Sequence, residues 1–475
     1  MSLKSSPLIT LAALTRAASG FVFALLAVRT LGASTYGYFS VSWSLAGATL
    51  FFFGGVNTAL VARVVAVRDR PGDEALQLCG AVGSLTLGSA LILVLVGVGA
   101  SVWGSGKAPL PVLYLGVAIL LGLQLVTLWC CAALEGHGCL RPAILFPIVG
   151  VSTNCVLLAI VWASGWHFDL PIFLLLCAIG YGLEAGFALL TARRHRVLSI
   201  DLRSARSELR NLFASGSALQ MSSLVGFFLD PFNKSVLLAW LGPGAVALFD
   251  LTMKMAWGLQ SAFTAYARLF LQIAPGDHAG RIASFSKAAE YVWAPAILAA
   301  ALVVLWATPL LTSMVGAQPA VAATVLLLAL GAILTMVLAA PAYVSLIGIG
   351  ELGFILRNQL ILAAGSSIGA LVLVPQLGIT GAIWGLLVAS AFNTALTWQR
   401  VRRHVAGFAG LHALCRGRIN RLALAAGSLM AAWALHQTST TINSWALLGI
   451  GSFLPLLLLA REPSTSYVLR LIRRI

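Results

Sequence analysis

The chain has 475 residues, 60% hydrophobic and only 9% charged, with a formal net charge of +16 and a mean hydropathy of +0.97. A soluble protein of this size carries about 25% charged residues, so the composition excludes an ordinary water-soluble domain. The positive charge does not signal nucleic acid, because the basic residues sit in short loops between apolar runs, where they orient a membrane protein.

Apolar runs of about 20 residues recur from end to end, long enough to cross a hydrocarbon core of roughly 30 Å. Their continuity excludes the alternating pattern of a membrane β-barrel. The expected fold is an all-α polytopic membrane protein of about fourteen transmembrane helices. In chain order the spans are 8–28, 36–60, 79–103, 111–132, 142–163, 170–191, 213–240, 246–273, 289–315, 320–346, 354–374, 379–397, 420–437 and 443–460, with boundaries good to ~2–4 residues. The first is interrupted by Arg16 and followed by no cleavage site, so it reads as a span and not a removed signal peptide. With both termini in the cytoplasm, the outer loops hold only Arg29 and Lys107. Arg16, Lys234, Lys254 and Arg268 fall within spans, and every other Lys and Arg lies inside. So steep a bias sets the orientation. Cys79, Cys130, Cys131, Cys139, Cys155, Cys177 and Cys415 show neither zinc-ligand spacing nor a secreted disulfide framework, and read as free thiols.

Two inner loops are basic and amphipathic: "TARRHRVLSIDLRSARSELR" (191–210) and "QRVRRHVAGFAGLHALCRGRIN" (399–420). Such segments anchor topology or lie along anionic lipid. They divide the chain into an N-terminal lobe (1–192, helices 1–6), a linker (193–212), a C-terminal lobe (213–398, helices 7–12), a second linker (399–419), and helices 13–14 with a basic tail (420–475). An internal echo supports the division. "LGASTYGYF" (31–39) aligns with "LGPGAVALF" (241–249) at Leu, Gly and Phe, and "LGITGAIWG" (377–385) repeats the Leu-Gly start. Paired bundles with related turns are how many transporters are built.

The outer loops are short, and there is no P-loop, no zinc-type His cluster and no plausible Ser/His/Asp set. No enzyme activity, cofactor or metal is expected, and the chain moves or anchors something. The informative residues are charges inside spans, which are rare and usually face a bundle interior or a watery cavity. "LDPFNKSVLLAWLGPGAVALFDLTMK" (229–254) forms a hairpin turning at Gly242, Pro243 and Gly244. At about 1.5 Å of rise per residue, Asp230 lies roughly 15 Å below Trp240, near mid-membrane. Folding about Gly242 sets Asp230 level with Lys254 and Lys234 level with Asp250, opposite signs at both depths. Each Asp also has a Lys four residues later on its own helix. Two readings stand: a self-neutralising quartet that only holds spans seven and eight together, or a polar cavity wall that gates or couples to ions.

Arg16 sits mid-span with no acid three or four residues away. Either its forked donors hold an anion such as phosphate, or it pairs with Glu184 of span six, whose neighbours Gly182 and Gly186 suit close packing. Arg63 and Arg268, near inner span ends, either extend a basic path or snorkel to water.

The stretch "RTLGASTYGYFSVSWSLAGATLFFFGGVNTALVAR" (29–63) resembles the start of bacterial polysaccharide flippases of the O-antigen (Wzx) type. The matching residues are Arg29, Leu31, Gly32, Tyr36 and Gly37 at the outer turn, then Gly55, Ala59 and Arg63. Residues 230–254 look like that family's seventh and eighth spans, and the likeness covers nearly the whole chain. It implies two six-helix lobes around a central basic cavity opening alternately to either side, plus the terminal helix pair. It implies a lipid (undecaprenyl)-pyrophosphate-linked oligosaccharide moved from the inner to the outer leaflet of the bacterial inner membrane, coupled to an ion gradient. Membrane lipids, a polysaccharide polymerase and a chain-length regulator are the implied partners. On this reading Arg16, Arg63, Asn57 and Arg268 bind substrate, while Asp230, Lys234, Asp250, Lys254 and Glu184 gate or couple to ions. One departure is Phe53, which stands where many members carry an acid. A multidrug exporter or a lipid II exporter of the same superfamily, and a non-transporting scaffold of envelope assembly, are the competing readings.

Overall fold

The computed structural model describes residues 6–67, 73–103, 110–165, 169–198, 225, 229–271, 300, 303, 311–313, 319–349 and 351–404. The expected spans 420–437 and 443–460 lie outside them, as do most of 289–315, the first part of 213–240, and residues 199–212 and 405–419 of the linkers. Among the described residues all regular structure is helical, and eight helices are long and apolar enough to cross a membrane. The helices are α1 (Ser6–Ala46), α2 (Ala48–Val67), α3 (Glu74–Trp103), α4 (Leu110–Gly136), α5 (Leu140–Ala163), α6 (Leu170–Arg194), α7 (Pro231–Leu241), α8 (Pro243–Leu271), α9 (Pro319–Ile349), α10 (Leu352–Leu377) and α11 (Ile379–His404).

Two boundaries depart from the hydropathy reading. The expected second span, 36–60, is not one rod. Its first part continues α1 beyond a kink at Gly32, and it breaks at Gly47 before α2 resumes. Hydropathy averages over windows longer than a single-residue break, so the break is invisible to it. At the other end α11 runs on through Arg400, Arg402 and Arg403 to His404, because arginine is a good helix former outside the hydrocarbon as well as at its edge.

The three Leu-Gly repeats have a common conformational cause. Gly32 (φ 74°, ψ 157°), Gly242 (φ 82°, ψ 177°) and Gly378 (φ 63°, ψ −144°) each join two helices in a region essentially closed to residues with a Cβ. A Cβ at any of them would meet nothing within 4 Å, so glycine is required by the backbone and not by space.

The described chain forms two compact units, Ala18–Asp250 and Leu251 onward together with the first residues. In the first unit α4 is central and packs against α2, α3, α5 and α6. Val56, Leu60, Val64, Leu78, Val82 and Leu134 make its core, with Trp129 lying over Gly83 and donating its indole N–H to the Cys79 carbonyl at 2.9 Å. In the second unit α11 packs on α9 and α10. The α10–α11 pair closes to backbone contact at Gly369 and Gly385, where a Cβ on Gly385 would lie 2.9 Å from the Gly369 backbone. Small residues permit such approach between membrane helices. Large apolar side chains such as Leu91, Ile92, Val96, Leu175, Leu190, Val372 and Val388 are exposed, a surface suited to lipid and not to water. Cys79, Cys130, Cys139, Cys155 and Cys177 are free thiols, and Cys415 lies outside the described residues.

Candidate functional site

The second segment of α1 carries Tyr36, Ser40 and Ser44 at four-residue spacing, which puts them on one face. All three are buried. Opposite them, α7 starts with Asp230 at its N-cap and Pro231 at the first helical position, where a missing N–H leaves no bond unmade. Lys234 follows one turn later, its amide bonded to the Asp230 carbonyl at 3.0 Å. After the Gly242 turn, α8 carries Asp250 two turns in, behind the buried run Val246, Ala247, Leu248 and Phe249. The Gly32 and Gly242 turns meet: a Cβ on Gly37 would overlap the Pro243 backbone, so only glycine allows this approach.

Lys234 is the hub. Its Nζ lies 2.6 Å from Asp230 Oδ2 and 2.6 Å from Asp250 Oδ1, and donates to Ser44 Oγ at 2.8 Å. Ser44 in turn donates to Asp230 Oδ2 at 3.0 Å, and the Tyr36 hydroxyl donates to Asp250 Oδ2. An ammonium has three protons, and these three acceptors take them all. The site is closed at one end and partly open at the other: the side chains of Lys234 and Asp250 are 4% and 2% exposed, that of Asp230 28%. Desolvating an ion pair costs several kcal/mol per charge unless the remaining lone pairs and protons are satisfied. The tyrosine and serine hydroxyls supply that satisfaction here.

The structure thus joins Asp230, Lys234 and Asp250, while Lys254 lies half-buried one turn further along α8. Glu184 is buried on α6, with Gly150 of α5 beneath its carboxylate; one turn away Asn154 of α5 lies over Gly180 of α6. Asn57 is buried on α2, and neither end of its amide has a hydrogen-bond partner among the described residues. Arg63 is half-buried on the same helix and makes no ion pair among the described residues. Phe53 is buried in the apolar interior. Arg16 and Arg268 fall on α1 and α8, but their side chains, and with them the Arg16–Glu184 pairing, lie outside the described set.

Sequence reasoning missed Ser44 and the role of Tyr36. The signal was present as hydroxyls every fourth residue in "TYGYFSVSWS". It also missed an aromatic run binding α1 to α6: Phe39 contacts Phe173 edge-on at 5.1 Å, and Trp43 stacks on Tyr181 at 5.9 Å. Phe23, from the other segment of α1, meets the same Phe173 at 6.0 Å, so one α6 side chain braces both sides of the kink.

No family model matches the sequence, and a search of curated proteins found no match. Solved structures do match. The lipid II flippase MurJ in an inward closed conformation aligns with a TM-score of 0.71 over 95% of this chain and 98% of its own, at 12% identity. An outward-facing multidrug resistance MATE transporter of the MOP superfamily aligns at 0.54 over 88% and 98%, with 16% identity. A MOP superfamily transporter from Pyrococcus furiosus aligns at 0.52 over 85% and 96%, with 17% identity. The chain is a multi-pass membrane protein with the fold of MOP-superfamily transporters. Within that fold its likeness to MurJ is more extensive than to the MATE structures.

Proposed function

We propose that the protein is a flippase, carrying a lipid-pyrophosphate-linked oligosaccharide from the cytoplasmic to the outer leaflet of a bacterial inner membrane by alternating access. The observation that carries this reading is the fold likeness to a lipid II flippase along nearly the whole chain, at a TM-score of 0.71. The O-antigen type of flippase is the branch suggested by the sequence around 29–63. In this reading Arg16 takes the pyrophosphate, with Arg63, Asn57 and Arg268 along its path. Both termini lie in the cytoplasm, and an ion gradient drives the cycle.

The cluster around Lys234 serves as the outer lock. All three of its protons are engaged within the protein, so it holds the turns at Gly32 and Gly242 together and does not capture substrate phosphate. Asp230 is its most exposed member. Lys254 and Glu184 complete the candidate coupling set. The test is flipping of an undecaprenyl-pyrophosphate-linked glycan by purified protein in vesicles, with and without an ion gradient. Loss of flipping in Arg16→Ala at normal protein levels supports the assignment, and an unchanged rate removes Arg16 from it. A second reading, lipid II itself as cargo, is favoured by the same likeness. Rescue of cells depleted of their lipid II flippase, without effect on surface polysaccharide, would establish it instead. A scaffold would be indicated if no lipid-linked sugar moved under any gradient.

A further inference from the structure

At the ends of α10 and α11 that the Lys/Arg distribution assigns to the cytoplasm, the two helices enclose a cleft of about 280 Å³. Arg357, Asn358, Gln399, Arg400 and Arg403 supply its polar lining, and Phe354, Ile361 and Leu396 its apolar part. Of these arginines, Arg400 donates from Nη2 to Glu351 Oε1 and Oε2 at 2.9 and 3.0 Å. The Arg400 guanidinium also lies 5.7 Å from the centre of the Phe354 ring. It is thereby fixed in place with Nε buried and without a hydrogen-bond partner among the described residues. Arg357 and Arg403 are exposed at the rim.

The floor is rigid. Asn358 donates to the Asn393 carbonyl at 3.2 Å and to Thr397 Oγ1 at 2.8 Å, and Asn393 donates back to the Asn358 carbonyl at 2.9 Å. These bonds use the Asn358 amide protons but leave Oδ1, in a residue only 3% exposed, without a partner among the described residues. The cleft therefore offers several cationic donors and one buried acceptor in need of a proton. Next to it, Ile361 and Phe392 are exposed on the surface suited to lipid.

We infer that this cleft binds the headgroup of an anionic glycerophospholipid that carries a hydroxyl, of the phosphatidylglycerol type. Its phosphodiester oxygens accept from Arg357, Arg403 and the Arg400 Nε, the charge-assisted geometry for which guanidinium is suited. A headgroup hydroxyl donates to Asn358 Oδ1, and an acyl chain runs along Ile361 and Phe392. The site is separate from the cluster around Lys234 and does not depend on what the protein transports.

Native mass spectrometry of the full-length protein, titrated with phosphatidylglycerol and with phosphatidylcholine of the same chains, tests this. The expected result is retention of phosphatidylglycerol about tenfold above phosphatidylcholine, falling to the same level in Arg357→Gln/Arg403→Gln, since each arginine near a lipid surface is worth ~1 kcal/mol. Gln399→Glu, an exposed change that puts a carboxylate in the cleft, should lower retention several-fold with unchanged thermal stability. The control Arg193→Gln/Arg194→Gln at the end of α6 should leave it unaltered. Equal retention in the Arg357/Arg403 variant, or equal loss in the control, overturns the site and leaves these arginines as charges snorkelling to water. Displacement of the lipid by millimolar inorganic phosphate would overturn the lipid assignment, because the cleft would then take phosphate alone.

Discussion

Among the described residues, one buried polar assembly in each compact unit can be compared with the other, and the two differ in kind. Between α1, α7 and α8 the bonds converge on a charge: Lys234 with Asp230, Asp250 and Ser44. Between α9, α10 and α11 they are neutral. Asn358, Asn393 and Thr397 bond reciprocally, and Thr335 links to Ser390 at 2.7 Å and to Thr394 through its carbonyl at 2.8 Å. A neutral amide ladder has no state that a proton or a field can select. A charged hub does, and taking away one charge turns its neighbours from partners into a penalty. On the proposed reading, the α7–α8 turn is the contact that opens during transport, and the α10–α11 pair is the one that stays closed.

Lys234→Ala should break the contrast most severely. It leaves Asp230 and Asp250 facing each other, with an expected cost of about 3–5 kcal/mol to the closed outer turn. Flipping should fall much further than the amount of inserted protein; equal loss of both would leave only a structural role. Tyr36→Phe removes one donor to a buried carboxylate and keeps the ring, at about 1.5–3 kcal/mol. Its readout is labelling of a cysteine introduced at Ala33, which should rise if the outer turn opens more often. Asn358→Ala should cost about 1–3 kcal/mol in thermal stability through the unmade bonds to α11, without raising that labelling. If it opens the outer turn as much as Tyr36→Phe does, the division between switchable and permanent contacts is wrong. Glu351→Gln should do least, about 0–1 kcal/mol, because its pair with Arg400 is partly solvated.

Much of the fold was readable in the chain itself. The apolar runs mark the spans, and the Leu-Gly repeats mark turns whose glycines sit at positive φ. In the site, Asp230, Lys234 and Asp250 could be brought together on paper because two helices joined by a tight turn set each residue's depth by counting. Ser44 and Tyr36 could not be reached that way. They lie 190 and 214 residues from the groups they bond, so no local count relates them. Nor could hydropathy show the break at Gly47 or the brace of Phe173 across the kink.

What the sequence determines by itself is therefore local and lipid-facing: helix or turn, in or out of the hydrocarbon, and which glycines the backbone demands. Each follows from a residue's own transfer energy and its own φ and ψ. The partners of buried polar groups, Lys234 with Ser44, Tyr36 with Asp250 and Asn358 with Asn393, were decided only by tertiary packing. A hydrogen bond requires its atoms within about 3 Å, and which distant helices come that close is a property of the assembled bundle.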